Sequence, residues 1–135
     1  MEFAKLVATQ SYCDRAKVGC VIIDETTKNI IAFGYNGTVS GEPNVCEVND
    51  KTLPTVLHAE TNALSKLTKS TQSSQNAILF CTLSPCLECS KIIVQCGISQ
   101  VFYLDTYNNP NSELALNFLS KHLKVWNYQK YLEHE

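Results

Sequence analysis

Short apolar runs alternate with segments of helical spacing along this chain, and that alternation constrains the fold more than any other sequence feature. Residues 17–24 (KVGCVIID) and 30–35 (IIAFGY) are apolar, β-branched runs separated by a short polar stretch, which predicts a β-hairpin. Later runs predict strands at 77–82, 100–104 and 124–128, and helical spacing predicts helices at 2–12, 57–69, 86–96 and 111–122. Strands that alternate with helices after an initial hairpin indicate a three-layer α/β sandwich.

Length and charge restrict the classes of protein to consider. At 135 residues and 15.1 kDa, the chain suits one compact domain spanning residues 1–135. Eleven basic and thirteen acidic residues give a net charge of −2, and Arg15 is the only arginine, so no long nucleic acid is expected as a partner. No apolar run approaches the roughly 18 residues of a membrane span, and residues 1–5 lack the features of a signal peptide. We therefore expect a soluble, cytoplasmic protein without a membrane partner.

The seven cysteines are expected to be thiols or metal ligands rather than a disulfide framework. Their number is odd, and no export signal precedes them. Cys13 and Cys46 lie in polar loop sequence, where we expect two free thiols; the alternative is the remainder of a second metal site. Residues 36–55, which include Cys46, show no sustained period, and a loop of this length inside a small domain is usually functional.

Two short motifs each begin a predicted helix and together carry metal-binding chemistry. The sequence HAE at 58–60 begins the second helix, and PCLEC at 85–89 begins the third, directly after a buried strand. Cys86 and Cys89 are three residues apart, so their sulfurs share one helix face, and the helix N-terminus favours the thiolate form. With His58 they complete three corners of a tetrahedral zinc site and leave the fourth for water, which is the arrangement of catalytic sites.

Glu60 follows His58 by two residues and is placed to move protons beside such a metal. Bound zinc lowers the pKa of water to roughly 7, and a nearby carboxylate can take the released proton and pass it to a substrate nitrogen. The combination of H-x-E and P-C-x-x-C is the signature of zinc-dependent nucleobase deaminases, in which the Glu is acid and base but not a ligand.

Each motif alone supports a less specific interpretation. A single His at a helix start is most often a cap or a core residue, and an isolated Glu is usually solvated. A Cys-x-x-Cys after a strand also fits a thiol oxidoreductase of the thioredoxin type, which would leave His58 and Glu60 without a role. A structural zinc module would need a fourth protein ligand, such as Cys81 or Cys46. The conjunction of both motifs in this order favours the catalytic zinc site.

The chain resembles the cytidine deaminase superfamily, and within it the deoxycytidylate (dCMP) deaminases, over nearly its whole length. The resemblance is carried by KVGCVII at 17–23, GYNG at 34–37, LHAETNA at 57–63, TLSPCLEC at 82–89 and GISQVFY at 97–103. It implies an α/β/α sandwich with a five-stranded mixed sheet, one catalytic Zn²⁺ on His58, Cys86 and Cys89, and Glu60 as the proton shuttle. The implied reaction is hydrolytic deamination of dCMP to dUMP, which supplies thymidylate synthesis. The alternative is a superfamily hydrolase that acts on a nucleoside, a free base or tRNA adenosine.

The resemblance also implies where the substrate binds. Asn36 would contact the sugar, the backbone around Ala59 and Ser84 would hold the edge of the base, and Tyr107 would lie near the nucleotide.

The phosphate of a nucleotide needs a cation or free backbone N–H groups. Arg15, with its forked donors, and Lys17 are the basic residues closest to the motif-bearing hairpin, so we expect one of them to contribute to phosphate binding. The alternative is that both are solvated residues before a strand.

Oligomeric state and regulation are further implications of the resemblance. It implies a homo-oligomer, a hexamer, that responds to dCTP and dTTP with Mg²⁺ accompanying the triphosphate, and it places Gly34, Tyr35 and Gly37 near the regulatory site. Charged residues form 18% of the chain against about 25% in typical soluble domains, which supports a partly covered surface. Longer relatives carry ligands for a second, structural zinc before the HAE motif; only 20 residues, 38–57, separate the two motifs here, which argues against a second metal.

Overall fold

A five-stranded mixed sheet forms the centre of the structure, a computed structural model that describes residues 1–134. The strands in chain order are β1 (Gly19–Ile23), β2 (Ile30–Tyr35), β3 (Glu47–Val48), β4 (Lys51–Thr52), β5 (Ile78–Leu83), β6 (Gln100–Asp105) and β7 (Lys124–Asn127). The large sheet has the order β2-β1-β5-β6-β7, and β3 and β4 form a separate hairpin. β1 pairs antiparallel with β2 and β5, whereas β6 is parallel to both β5 and β7. The predicted β1–β2 hairpin and the mixed five-stranded sheet are therefore confirmed.

Helices cover both faces of this sheet. They are α1 (Glu2–Ala8), α2 (Ala59–Lys66), which continues into a short 3₁₀ turn (Leu67–Lys69), α3 (Leu87–Gln95), α4 (Ser112–His122) and α5 (Tyr128–Glu133). Ala63, Ile93 and Leu119 anchor α2, α3 and α4 in one core cluster. On the opposite face, α1 places Val7 against the sheet and α5 contacts Phe102. The predicted three-layer fold class is confirmed.

None of these helices, within residues 1–134, combines the length and the apolar character needed to cross a bilayer.

One hairpin, formed by β3 and β4, and one helix, α5, were not expected from the sequence. Asn49 and Asp50 take φ angles of 54° and 61°, the left-handed conformation that a tight two-residue turn requires, and they join β3 to β4 inside the predicted loop. α5 has only six residues and is capped by Asn127, whose side-chain oxygen accepts a hydrogen bond from the Lys130 amide at 3.1 Å. The hairpin and α5 are both too short to show a hydrophobic period.

The first helix is shorter than predicted: it ends at Ala8, whereas the sequence pattern predicts a helix as far as residue 12.

The end of β5 is the point at which three chain segments meet. The chain passes from β5 through residues 84–86 directly into α3, and the amide of Ser84 donates to the carbonyl of Asp105 at the end of β6 at 2.8 Å. The start of α2 lies beside the start of α3, since the imidazole of His58 is 3.3 Å from the sulfur of Cys89. The sheet thereby brings both sequence motifs to one edge.

Gly34 allows α2 to lie against β2 at short range. A Cβ built on Gly34 would come 2.6 Å from the amide nitrogen of Ala63 and 2.9 Å from the carbonyl oxygen of Ala59, which is closer than real Cβ atoms approach such groups. The side-chain amide of Asn62 donates to the carbonyl of Tyr35 at 2.8 Å and joins the same helix to the end of β2. The position of α2, and of the motif at its start, therefore depends on the absence of a side chain at residue 34.

We predict that Gly34→Ala lowers the free energy of unfolding by about 1–3 kcal/mol, because the added methyl group forces α2 away from the strand. Gly37→Ala is the matched control, since a Cβ at Gly37 has nothing within 4 Å. Its stability should stay within about 0.5 kcal/mol of the parent. Urea denaturation followed by circular dichroism measures both. Equal stability of the two variants would contradict the close approach of α2.

Candidate active site

Three ligand side chains of the two motifs form one cluster. His58 is the N-cap residue of α2 and Cys86 is the N-cap residue of α3, while Cys89 lies in the first turn of α3. The Nδ1 atom of His58 is 3.3 Å from the sulfur of Cys89 and 3.4 Å from the sulfur of Cys86. All three donor atoms lie within 4.8 Å of one another. The structure thus brings the three predicted ligands together.

The spacing of these donors fits a zinc ion. Zinc–nitrogen bonds of about 2.0–2.1 Å and zinc–sulfur bonds of about 2.3 Å, at tetrahedral angles, separate nitrogen and sulfur by about 3.6 Å. The observed separations of 3.3 and 3.4 Å are close to this value. One imidazole and two thiols are also a donor set that zinc prefers. His58, Cys86 and Cys89 can therefore hold zinc.

No fourth protein ligand joins this cluster among residues 1–134. Cys81 is fully buried, and its sulfur lies 3.7 Å from the carbonyl oxygen of Phe102. Cys46 is bonded to Cys13. A closed structural zinc site with either cysteine as fourth ligand is therefore not assembled, and the cluster keeps an open position.

The thiol of Cys86 is set up to lose its proton. A hydrogen bond from Cys89 and the neighbouring His58 imidazole lower the pKa of Cys86 to about 4, although partial burial opposes the change. The backbone amide of Cys89 also donates to the Cys86 sulfur at 3.4 Å. The same hydrogen bond, between the Cys86 and Cys89 side chains, raises the pKa of Cys89. Cys89 therefore keeps its proton until a metal ion displaces it.

Glu60 is a buried carboxyl group beside this cluster. It is only 4% exposed, and burial raises its pKa to about 7, although a hydrogen bond with Cys89 and the charge of His58 act in the opposite direction. A carboxyl group with this pKa can hold or release a proton near neutral pH. The placement of Glu60 in the first turn of α2 supports the predicted role in proton transfer.

A pocket of about 380 Å³ opens onto Glu60 and onto two of the three candidate metal ligands, His58 and Cys86. Its volume is in the range of small-molecule sites. Besides His58, Glu60 and Cys86 it is lined by Cys13, Arg15, Ala16, Val18, Asn36, Glu47, Thr52, Val56, Ala59, Leu83, Ser84, Thr106, Tyr107 and Asn108. The four residues that the family resemblance assigns to the sugar, base and nucleotide all lie on this lining.

Two of these four side chains also support the pocket wall. The side chain of Asn36 accepts a hydrogen bond from the Val18 amide and donates one to the Ala16 carbonyl, both at 2.8 Å. The hydroxyl of Ser84 accepts from the backbone amide of Tyr107 at 2.7 Å. Asn36 and Ser84 therefore join loops that are distant in sequence.

The structure separates the two candidate phosphate residues. Arg15 lines the same pocket as His58, Cys86 and Glu60. Lys17 lines a different hollow of about 220 Å³, and its ammonium group donates to the carbonyl oxygen of Ser11 at 2.6 Å. Only Arg15 is thus placed on the wall of the candidate active site.

The three residues expected near a regulatory site do not share one environment. Tyr35 and Gly37 line a third hollow, of about 180 Å³, together with loop residues that include Tyr12 and Glu42. Gly34 is absent from that lining, and the contact of its backbone with α2 gives it a structural role.

The expectation of two free thiols at Cys13 and Cys46 is wrong, because the two sulfurs form a disulfide across a sequence separation of 33 residues. The loop that contains Cys46 folds back over the segment after α1, and the sequence offers no local pattern that reports this approach. The disulfide also removes both thiols from metal binding. The cysteines at 20, 81, 86, 89 and 96 are free, as expected.

Sequence reasoning missed the contribution of the β3–β4 hairpin to the pocket. Glu47 and Thr52 are on its lining, as are the apolar residues Val56 and Leu83. The Asn49-Asp50 pair was the one local signal for a turn at this point.

Comparisons with known proteins find a family model and relatives that match most of this chain. Residues 1–105 match the family model described as the cytidine and deoxycytidylate deaminase zinc-binding region. The chain is 42% identical over 117 residues to the deoxycytidylate deaminase of Saccharomyces cerevisiae and 41% identical over 128 residues to that of Schizosaccharomyces pombe. These alignments cover 79% and 86% of this chain but only 36% and 39% of the two yeast proteins, so the chain spans less than half their length.

A solved structure extends the similarity to the fold. The dCMP deaminase of the cyanophage S-TIM5, in complex with dCMP and dUMP, matches with a TM-score of 0.84 and 42% identity. The match covers 92% of this chain and 90% of the phage chain.

We predict that the purified protein contains about one zinc per chain, and that His58→Ala, Cys86→Ser and Cys89→Ser each lose it, because three ligands are the minimum for tight binding in an open site. Cys96→Ser is the control, since Cys96 is a free thiol outside the cluster. Elemental analysis measures the stoichiometry. A metal-free protein that forms a reversible Cys86–Cys89 disulfide would instead support a thiol oxidoreductase.

Proposed function

Because the chain belongs to the cytidine and deoxycytidylate deaminase zinc-binding family, we propose that it catalyses the hydrolytic deamination of dCMP to dUMP with release of ammonia. The observation that carries the proposal is one pocket lined by His58 and Cys86 of the three-residue His/Cys/Cys cluster and by a buried carboxyl group with a pKa near neutrality. The dUMP product would supply thymidylate synthesis. Similarity to deoxycytidylate deaminases of two yeasts and a cyanophage supports dCMP as the substrate.

Glu60 would carry the protons of this reaction. Deamination requires that water lose a proton as its oxygen attacks the amine-bearing carbon, and that the ring nitrogen and the departing amine gain protons. Zinc held by His58, Cys86 and Cys89 would supply Lewis-acid chemistry by lowering the pKa of the attacking water. The Glu60 carboxylate would take one proton from water and deliver it to the ring nitrogen. It would then pass the second proton of the attacking oxygen to the amine, which leaves as ammonia as the C–N bond breaks and the C=O bond forms. Its burial keeps these transfers away from bulk solvent.

The remaining pocket residues would orient the substrate. The backbone around Ala59 and Ser84 would hold the polar edge of the base close to Glu60, because both residues line the pocket at the starts of the two motif segments. Asn36 would contact the sugar, and Tyr107, which is about two-fifths exposed at 38%, would cover the nucleotide from the loop after β6. These roles are inferred from the family resemblance and from the shared lining.

We predict that Glu60→Gln keeps zinc and fold but lowers kcat for dCMP by about 10²–10⁴-fold, because the amide has a similar shape but cannot accept and return the proton. Glu88→Gln is the matched control, since Glu88 lies in the other motif segment, is exposed and pairs with Lys91 at 2.9 Å. Ammonia release and zinc content are measured on both proteins. Loss of zinc from Glu60→Gln would identify Glu60 as a ligand, and near-parental turnover would remove it from the mechanism.

We predict that Arg15→Ala weakens kcat/KM for dCMP by about 10–100-fold and leaves that for deoxycytidine nearly unchanged, because hydrogen bonds to a charged phosphate contribute about 1.5–3 kcal/mol. Lys17→Ala should affect neither substrate selectively, since its ammonium group faces the Ser11 carbonyl. Rates with dCMP, CMP, deoxycytidine and cytosine measure the effect. An equal loss on dCMP and deoxycytidine would mean that Arg15 has no phosphate role.

The same substrate panel distinguishes the proposal from its alternative. A superfamily hydrolase for nucleosides or free bases would turn over deoxycytidine or cytosine at least as fast as dCMP. A hexameric assembly, a response to dCTP and dTTP with Mg²⁺, and a cytoplasmic location stay predictions from the sequence.

A further inference from the structure

The β3–β4 hairpin holds Arg15 at two points. The Glu47 carboxylate accepts hydrogen bonds from the backbone amide of Asp14, at 3.1 and 3.3 Å, and from that of Arg15, at 3.4 Å. On the other strand, the Thr52 hydroxyl accepts a contact from the Arg15 guanidinium at 3.5 Å. Glu47 and Thr52 are direct partners in the β3–β4 register. One cross-strand pair thus holds both the backbone and the side chain of Arg15.

A covalent bond reinforces this contact between the hairpin and the segment after α1. The disulfide joins Cys13 to Cys46, which directly precedes Glu47. The carbonyl of Cys46 also accepts a hydrogen bond from the Leu53 amide at 2.7 Å, which closes the base of the hairpin. The hairpin therefore cannot move away from Arg15 without breaking several contacts.

The charge of Arg15 is available to a ligand. Within residues 1–134 the guanidinium forms no ion pair, because Glu47 directs its carboxylate at backbone amides instead. Arg15 is also the one lysine or arginine on the described lining of the pocket. An anionic group at that wall would meet one guanidinium that has no salt bridge and whose position the Thr52 hydroxyl restricts, with the Glu47 carboxylate on the same lining.

We propose that Glu47 and Thr52 are positioning residues that hold Arg15 for the 5′-phosphate of the substrate, so that the β3–β4 hairpin sets the preference for a nucleotide over a nucleoside. The proposal rests on the proposed deamination of dCMP. An arginine side chain loses much rotamer freedom when it binds an anion, and a side chain held beforehand loses less. Removing either anchor should therefore weaken phosphate recognition and spare the chemistry at the cytosine ring.

Steady-state kinetics of Glu47→Ala and Thr52→Val with dCMP and deoxycytidine test this role. We expect KM for dCMP to rise about 3–10-fold in Glu47→Ala and about 2–3-fold in Thr52→Val, the range for loss of ordinary hydrogen bonds. The values of kcat, zinc content and kcat/KM for deoxycytidine should stay at the parental level. Glu47→Gln keeps an acceptor oxygen and should remain within about twofold of the parent.

Matched controls come from exposed residues of the same types outside the pocket. Glu25→Ala and Thr55→Val change residues that are exposed and absent from the pocket lining, and they should leave both substrates unaffected. A lower KM for dCMP in Glu47→Ala would show that Glu47 acts by repelling the phosphate and would overturn the proposal. An equal loss on both substrates in Glu47→Ala would show a merely structural role and would also overturn it.

Calorimetric binding of dUMP and deoxyuridine separates this inference from the proposed function. The parent protein should bind dUMP more tightly than deoxyuridine, and Glu47→Ala should reduce that ratio about 3–10-fold. If no cytosine compound is turned over but the ratio still falls, the proposed reaction fails while the role of the hairpin stands. If dCMP is turned over but dUMP and deoxyuridine bind equally, the reaction stands and the role of the hairpin is rejected.

Discussion

The close packing of α2 on β2 is the contact on which the rest of the site depends. Gly34 lets the backbone of α2 near Ala63 approach β2. This approach places His58, the N-cap residue of α2, beside the start of α3. Metal donors must meet within a few tenths of an ångström of ideal separations to share one ion. A helix held one methyl group further out would move the imidazole away from Cys86 and Cys89.

The same packing creates the chemical character of Glu60. Because α2 lies deep against the sheet, the carboxyl group in its first turn is removed from water, and desolvation raises its pKa. The thiols of Cys20 on β1 and Cys81 on β5 are also fully buried, and burial raises their pKa, so both thiols stay protonated. The contact that stabilises the fold therefore also raises the pKa of the carboxyl group for which we propose proton transfer.

Polar bonds between distant loops complete the pocket. Asn36 joins the end of β2 to the segment before β1, Ser84 joins the end of β5 to the loop after β6, and Glu47 joins the β3–β4 hairpin to the segment after α1. Each bond satisfies a backbone group that would otherwise be unpaired in an irregular segment. Side-chain hydrogen bonds consequently stabilise the walls of the pocket, whereas the sheet and the N-termini of α2 and α3 form its floor.

The sequence by itself determined the layers of the fold and identified His58, Cys86, Cys89 and Glu60 as candidate site residues, because hydrophobic period and the spacing of residues within one helix turn are local properties. Only the tertiary structure decided that Cys13 and Cys46 form a disulfide, that Arg15 rather than Lys17 faces the pocket, and that β3 and β4 form its wall. Those outcomes depend on how a long irregular loop folds back over a segment more than 30 residues away. No periodic pattern in the sequence predicts this contact between the loop and the segment, because the contact consists of a few polar interactions that form only in the folded chain.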